Sequence, residues 1–227
     1  MSWQTDISWK ATGPFVEPVN RPLQGRAVAI VGGGPGLTLE HATHLKHAER
    51  LILVNNSYLL FPETPHPLFA RDRRWWQWHG GIVAQIGHLP ITASRPGANG
   101  YPPGLNIYHM QLLPEVALTQ DRARITGKNS GHGAIQLAVH LGASRIYLAG
   151  FDMGFKGSRT HWHAGHAVPA SQSNYEIRFR PALEAFVEEA ATLGITIEAI
   201  TPTQANIPAK PFDLAMEDLQ CQPEQLG

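Results

Sequence analysis

One cysteine, Cys221, is all that this chain carries. No disulfide framework and no cysteine-based zinc site can form within a single chain from it. Such low cysteine content fits a reducing compartment. Long hydrophobic runs are also missing: none reaches the roughly 20 residues that span a bilayer. The opening stretch "MSWQTDISWKATGPFVEPVNRPLQGR" has no apolar segment of the signal-peptide kind. The expectation is a soluble, cytoplasmic protein with no membrane partner. An excess of either charge is absent too. Lys and Arg number 18, Asp and Glu number 18, and the formal net charge is zero. Proteins that grip long stretches of nucleic acid carry a basic excess, so nucleic acid is not an expected partner beyond what a local patch would hold. Against 16% charged residues stand 43% hydrophobic ones, enough for a sizeable core. A length of 227 residues suits one large domain, or one domain with an appendage.

What is present is an alternation of short apolar runs and helical patterns. Residues 1–26 hold two Trp and several Pro without a clear period. They read as an extended arm lying on the domain or on a neighbouring copy, the one pointer to a homo-oligomer. Residues 27–31 form a β-branched run stopped by glycine, a buried-strand signal. A helical pattern over 38–50 and a second strand over 51–56 follow. Residues 67–80 read as a helix, 81–87 as a third strand, and the Pro- and Gly-rich stretch 89–106 as a long loop. After a short strand in "IYHMQ" comes a strong helix over 130–143, with Ala134, Leu137, Ala138 and Leu141 on one face and Gly142 near its end. A strand over 145–153, a long helix over 174–194 and a last strand over 195–202 complete the domain. The tail reads as irregular or short-helical.

Strands alternating with helices predict an α/β fold: a single Rossmann-like domain over 27–207, a mostly parallel sheet with helices on both faces, and a C-terminal tail over 208–227. In such folds ligands bind beyond the carboxyl ends of the strands, where the strand order reverses. Three strands run into "GGGPG", "NNS" and "GFDMG". Those three endings are therefore expected on one edge, at an active site.

"VGGGPGL" follows a strand and opens a helix. Glycines admit close ligand approach, and a helix N-terminus offers free N–H groups to an anion, so Gly32, Gly33, Gly34 and Pro35 are candidate nucleotide contacts. The dinucleotide fingerprint is incomplete. Leu37 stands at the third glycine position, and the second strand ends in Asn55 and Asn56 rather than an acid. Those amides can donate and accept at once to a base edge or ribose, or close an Asx turn. "GKNSGHGA" sets Asn129 and Ser130 at a helix start, an N-cap. Its remaining N–H groups, with Ser130 and Gly131, are free for a phosphate, and Lys128 adds charge. "RDRRWWQWHG" sets Arg71, Arg73 and Arg74 beside Trp75, Trp76 and Trp78, a pattern that stacks nucleobases but fits an amphipathic helix as well. In "FDMGFKGSRTHWHAGH", Asp152 ends a strand, where it suits Mg²⁺ binding, substrate orientation or a base role. His161, His163 and His166 follow without a zinc spacing. They read first as acid/base or substrate groups, then as a solvated loop, then as a structural zinc site.

The stretches "VAIVGGGPGL", "LVNNSYL", "NSGHGAIQLAVHLGASRIYLAGFDM", "THWHAGH" and "LGITIEAITPTQANI" together resemble the bacterial lipooligosaccharide sialyltransferases. They resemble at least as much the family typified by archaeal 6-hydroxymethylpterin diphosphokinase and the motility accessory factors, whose phage-encoded members share the "DM…HW…H" pattern. The resemblance spans roughly residues 27–207. It implies a nucleotide-dependent group transferase. In the sialyltransferase-like reading, a nucleotide-activated donor rests on Gly32, Gly33, Gly34, Asn56 and Ser130. His166, or His163, then deprotonates the hydroxyl of a small-molecule or glycan acceptor. The chain departs from that family at Gly33, where the family has Asn, and in lacking its paired tyrosines after Asp152. In the diphosphokinase-like reading ATP is the donor and Asp152 holds Mg²⁺. No other cofactor is implied. A third reading is a nucleotide-binding or assembly protein that keeps the fold without catalysis.

Overall fold

The computed structural model describes residues 3–163 and 171–220. Eight strands form one wholly parallel sheet: β3 (Ala27–Val31), β4 (Leu51–Val54), β5 (Pro67–Phe69), β6 (Leu89–Ser94), β7 (Tyr108–Leu112), β8 (Arg124–Ile125), β9 (Arg145–Ala149) and β10 (Thr196–Ala199). Their spatial order is β10-β9-β3-β4-β5-β6-β7-β8. The chain starts in the middle at β3, winds outward to β8, then crosses back to place β9 on the other side of β3. The strand order therefore reverses between β3 and β9, which is the crevice-forming position of a Rossmann-like sheet.

The strands are apolar on both faces because both faces are covered. Val28, Ile30, Ile52, Val54, Ile146 and Leu148 point into a core shared with α3 (Ser130–His140) and α5 (Arg180–Thr192). Their neighbours Ala29, Val31, Leu51, Leu53, Tyr147 and Ala149 point the other way. There they pack with α1 (Leu39–Leu45), α2 (Arg73–Ile86) and α6 (Phe212–Gln220). A short turn α4 (Gln172–Asn174) leads into a π-helical turn over Tyr175–Phe179, and Pro181 then opens α5.

Four segments differ from the sequence reading. Residues 67–69 are strand β5, and the helix begins only at Arg73, where the Asp72 carboxylate caps the Arg74 N–H at 2.8 Å. Residues 81–86 are the second half of that helix rather than a strand. α2 runs on to Gly87, whose φ of 81° ends it. Residues 89–94 are strand β6 inside the sheet rather than loop. The residues before β3, read as an extended arm on the domain or on a neighbouring copy, lie on the domain, and part of them is an antiparallel hairpin of β1 (Trp9–Thr12) and β2 (Phe15–Pro18). Trp9 stacks on Tyr108 at 4.7 Å, and Trp3, Ile7 and Leu23 are buried in the core of the same chain. At the other end, α6 is part of the body. Ala215, Met216 and Leu219 are buried, and Asp218 binds Tyr147, Lys210 and Arg145.

Candidate functional site

The three strand endings do meet. "GGGPG" after β3, "NNS" after β4 and "GFDM" after β9 border one cavity of about 540 Å³, together with the N-terminus of α3. That volume lies in the range of small-ligand sites, about 300–1,000 Å³. Both non-glycine residues with left-handed backbone among the described residues, Asn55 and Met153, each at φ 51°, stand on its wall. Unfavourable backbone of this kind persists where the surroundings over-determine it, often at functional sites.

The glycine turn is built for the neighbouring loop. Gly32 N–H donates to the Ala149 carbonyl at 2.7 Å and Gly34 N–H to Gly150 at 2.8 Å. Gly36 N–H donates to the Asp152 carboxylate at 2.6 Å. A β-carbon on Gly34 would lie 2.1 Å from Asp152 Oδ2, and one on Gly36 would lie 2.6 Å from Oδ1. The missing side chains thus make room for Asp152, and most of the turn's N–H groups already have acceptors. Pro35 is buried and does not line the cavity. Leu37 packs in the core beside α1.

Asp152 is 8% exposed. Burial pushes its carboxyl up to about 6, against the opposing pull of the Gly36 N–H, its own backbone N–H and Lys156. Its Oδ2 is buried without a hydrogen-bond partner among the described residues. Tyr175, from the π-helical turn, lies within electrostatic reach and also lines the cavity.

A cationic corner faces the same space. Asn129 caps α3 through the His132 N–H at 2.9 Å. Ser130 Oγ accepts from the Arg71 N–H at 3.2 Å. The Arg71 guanidinium donates to the Gly127 carbonyl at 2.7 Å and has no carboxylate partner among the described residues. Arg71, Lys128, Ser130 and Gly131 all line the cavity. Burial lowers the Arg71 pKa, and the nearby Arg95 adds to this. A partly desolvated guanidinium of this kind suits an anion, and the Lys128 ammonium, which donates to the Pro114 carbonyl in an exposed hydrogen bond of 3.1 Å, adds charge beside it.

The histidine loop meets the glycine turn directly. Trp162 N–H donates to the Gly33 carbonyl at 3.1 Å. A β-carbon on Gly33 would lie 3.2 Å from the His161 ring. His161 lines the cavity and its Nδ1 pairs with the Thr160 hydroxyl at 2.9 Å. His163 packs edge-on against Trp162 and does not line the cavity. His166 lies outside the described residues, as does Cys221. Among the described residues no group of three His, Cys, Asp or Glu side chains is placed to hold a metal ion.

Asn55 and Asn56 both reach the wall, and Asn56 Oδ1 accepts from the Trp75 indole N–H at 2.6 Å. Sequence patterns alone did not assign Arg71, Trp75, Trp78, His79 or Tyr175 to this cavity. The Arg-Trp cluster was the available signal. It divides on folding: Trp76 enters the core, whereas Trp78 stays 56% exposed at the cavity.

No family model matches this chain, and no curated protein matches it. Among solved structures, a short chain dehydrogenase from Mycobacterium smegmatis aligns with 92% of this chain and 89% of its own at 16% identity. The TM-score of that alignment is 0.25. The Rossmann-like fold is established by the strand order itself. No helix among the described residues is long and apolar enough to cross a membrane.

Proposed function

We propose that this chain is a nucleotide-dependent group transferase, and that its reaction is glycosyl transfer from a nucleotide-activated donor. One observation carries the reading: the switch-point cavity has cations and a helix N-terminus at one place and a histidine loop beside a buried carboxylate at another. Arg71, Lys128 and the first N–H groups of α3 would hold the donor phosphate and take up the charge that grows on it as it leaves. Asn55, Asn56 and the glycine turn would border the nucleoside. A histidine of the 161–166 loop would accept the proton of the acceptor hydroxyl. The acceptor oxygen then bonds to the anomeric carbon, and the bond from that carbon to the phosphate oxygen breaks with its electron pair going to the phosphate. His161 is the described member of the loop that lines the cavity; His166 and His163 are the members that the family resemblance favours.

A second reading rests on the unpartnered Oδ2 of Asp152. A diphosphokinase would use that carboxylate as a contact for Mg²⁺, which neutralises phosphate charge when bound. Magnesium takes one or two carboxylates and fills its other positions from substrate phosphates and water, so a single oxygen fits only a cation that arrives with the nucleotide. Fixed cations at Arg71 and Lys128 already offer that neutralisation, which favours the first reading.

The test is thermal unfolding with CMP, CDP, UDP, GDP, AMP and ATP, each with and without Mg²⁺. A ligand of the folded state raises the melting temperature by mass action. Stabilisation without metal, followed by turnover of the matching nucleotide-sugar, supports glycosyl transfer. Stabilisation by ATP or AMP only with Mg²⁺ supports the diphosphokinase. Binding without turnover of any donor leaves a nucleotide-binding protein. No shift with any nucleotide overturns all three.

A further inference from the structure

Asn56 is held in one orientation by a residue 19 positions later in the chain. Asn55 takes a left-handed backbone, φ 51°, and the Ser57 hydroxyl closes the turn by accepting from the Val54 N–H at 2.8 Å. This tucks Asn56 inward until it is 8% exposed. Its Oδ1 accepts from Trp75 Nε1–H at 2.6 Å. An indole N–H can only donate, so the amide oxygen must face Trp75 and the NH₂ group must face away. The NH₂ has no acceptor among the described residues, and it is not one of the atoms sealed from solvent. Asn56 lines the cavity.

Trp75 cannot turn aside to release this arrangement. Its ring stacks on His79 at 4.7 Å and 18°, and meets Trp76 and Tyr58 edge-on at 5.0 and 5.9 Å. The Tyr58 hydroxyl in turn pairs with His79 Nδ1 at 2.9 Å. Tyr58 is fully buried, so the clamp is anchored in the core.

We infer that Trp75 is a positioning residue that makes Asn56 a donor-only contact. The ligand group facing it must be an acceptor: a carbonyl, a carboxylate or an unprotonated ring nitrogen. This rests on the reading of the cavity as a nucleotide site.

The experiment measures affinity by calorimetry for the nucleotide of the panel above that gives the largest thermal shift. Asn56→Asp keeps an oxygen for Trp75 and replaces the NH₂ with a second acceptor of the same size. It should weaken binding about tenfold or more, since a charged group is left facing the ligand's acceptor. Trp75→Phe keeps an aromatic ring in the stack but removes the N–H together with the five-membered part of the indole, and should weaken binding several-fold. In an Asn56→Ala background, Trp75→Phe should do nothing further. A residue acting through Asn56 is non-additive with it, whereas a merely structural one adds. Circular dichroism establishes that each variant is folded. If Trp75→Phe does not fold, Asn56→Asp decides alone. Wild-type affinity in Asn56→Asp, or additive effects in the double variant, overturns this inference while leaving the nucleotide site standing. Failure of every nucleotide to bind overturns both.

Discussion

The carboxylate of Asp152 accepts the backbone N–H of Gly36 at 2.6 Å, across 116 positions of sequence. This bond joins the loop after β9 to the turn after β3, the two segments between which the strand order reverses. The glycines of that turn are a steric requirement of the protein before they are a requirement of any ligand.

Gly34 should therefore tolerate no side chain. Gly34→Ala drives a β-carbon to within 2.1 Å of Asp152 Oδ2. Overpacking of this kind costs about 1–3 kcal/mol. Gly33→Ala meets nothing closer than 3.2 Å, the edge of the His161 ring. Urea unfolding of the two variants should show a clear loss for the first and a smaller one for the second. Equal stabilities would mean that the carboxylate moves freely.

Acid should destabilise the fold through its buried imidazoles. Burial lowers His66, His88 and His140 from 6.5 to about 4, and His132 to about 3. In the unfolded chain each takes up a proton near 6.5. Between that pH and about 4 the unfolded state binds more protons, so stability is lost as the pH falls through the window. Asp152 works in the opposite sense: raised from 3.8 to about 6, it favours the folded state as the pH drops. One carboxyl stands against four imidazoles. The melting temperature should fall steeply from pH 6.5 to 4.5 and change little from 7 to 8. A flat profile down to 4.5 would show these rings solvated.

Arg71→Met should weaken nucleotide binding more than it weakens the fold. Charge-assisted hydrogen bonds contribute about 1.5–3 kcal/mol, on the order of ten- to a hundredfold in affinity. The salt dependence of binding should shrink with it. Calorimetry at two ionic strengths tests both points. Unchanged affinity would remove the phosphate from this corner.

The loop histidines separate by kinetics. Loss of a general base lowers turnover about 10²–10⁴-fold and leaves nucleotide affinity in place. We expect this for His161→Ala, with His163→Ala and His166→Ala as the comparison. Unchanged turnover in all three would assign the proton to another group.

Leu219→Ala should cost about 2–5 kcal/mol, because Leu219 is 2% exposed in the core beneath α6. Chemical unfolding measures it. A neutral result would mean that α6 adds little to the stability of the body.

Much of this architecture was legible in the chain, and the failures have physical causes. Apolar runs ending in Gly or Asn marked β3, β4 and β9 because strands buried on both faces have no polar alternation to confuse them. "GIVAQI" misled because Gly80 precedes it, Gly81 opens it, and its β-branched residues suit either structure. Gly80 is no helix stop: a β-carbon there would meet Leu105 at 2.8 Å, so it is a packing notch inside α2. Pro90 argued against a strand, yet it stands at the second residue of β6, with Leu89 N–H bonded to the His66 carbonyl. Within the site, glycine, Asn, Ser130 and Asp152 were visible as types at strand and helix ends. Arg71 and Trp75 were visible only as types. Where each points depends on contacts with residues 127–130 and 56, which no local pattern encodes.

The π-helical turn that opens α5 is a matter of register. Its i→i+5 bond, from Arg180 N–H to the Tyr175 carbonyl, accommodates one more residue than an α-helical turn would. Removing one residue from 175–179 would restore a regular helix and rotate everything before it by about 100°. The buried face of α5, with Leu183 and Phe186, would keep its seat. Tyr175 and the α4 turn would swing off the cavity wall. One inserted residue thus lets a helix that packs by one phase present its first turn in another.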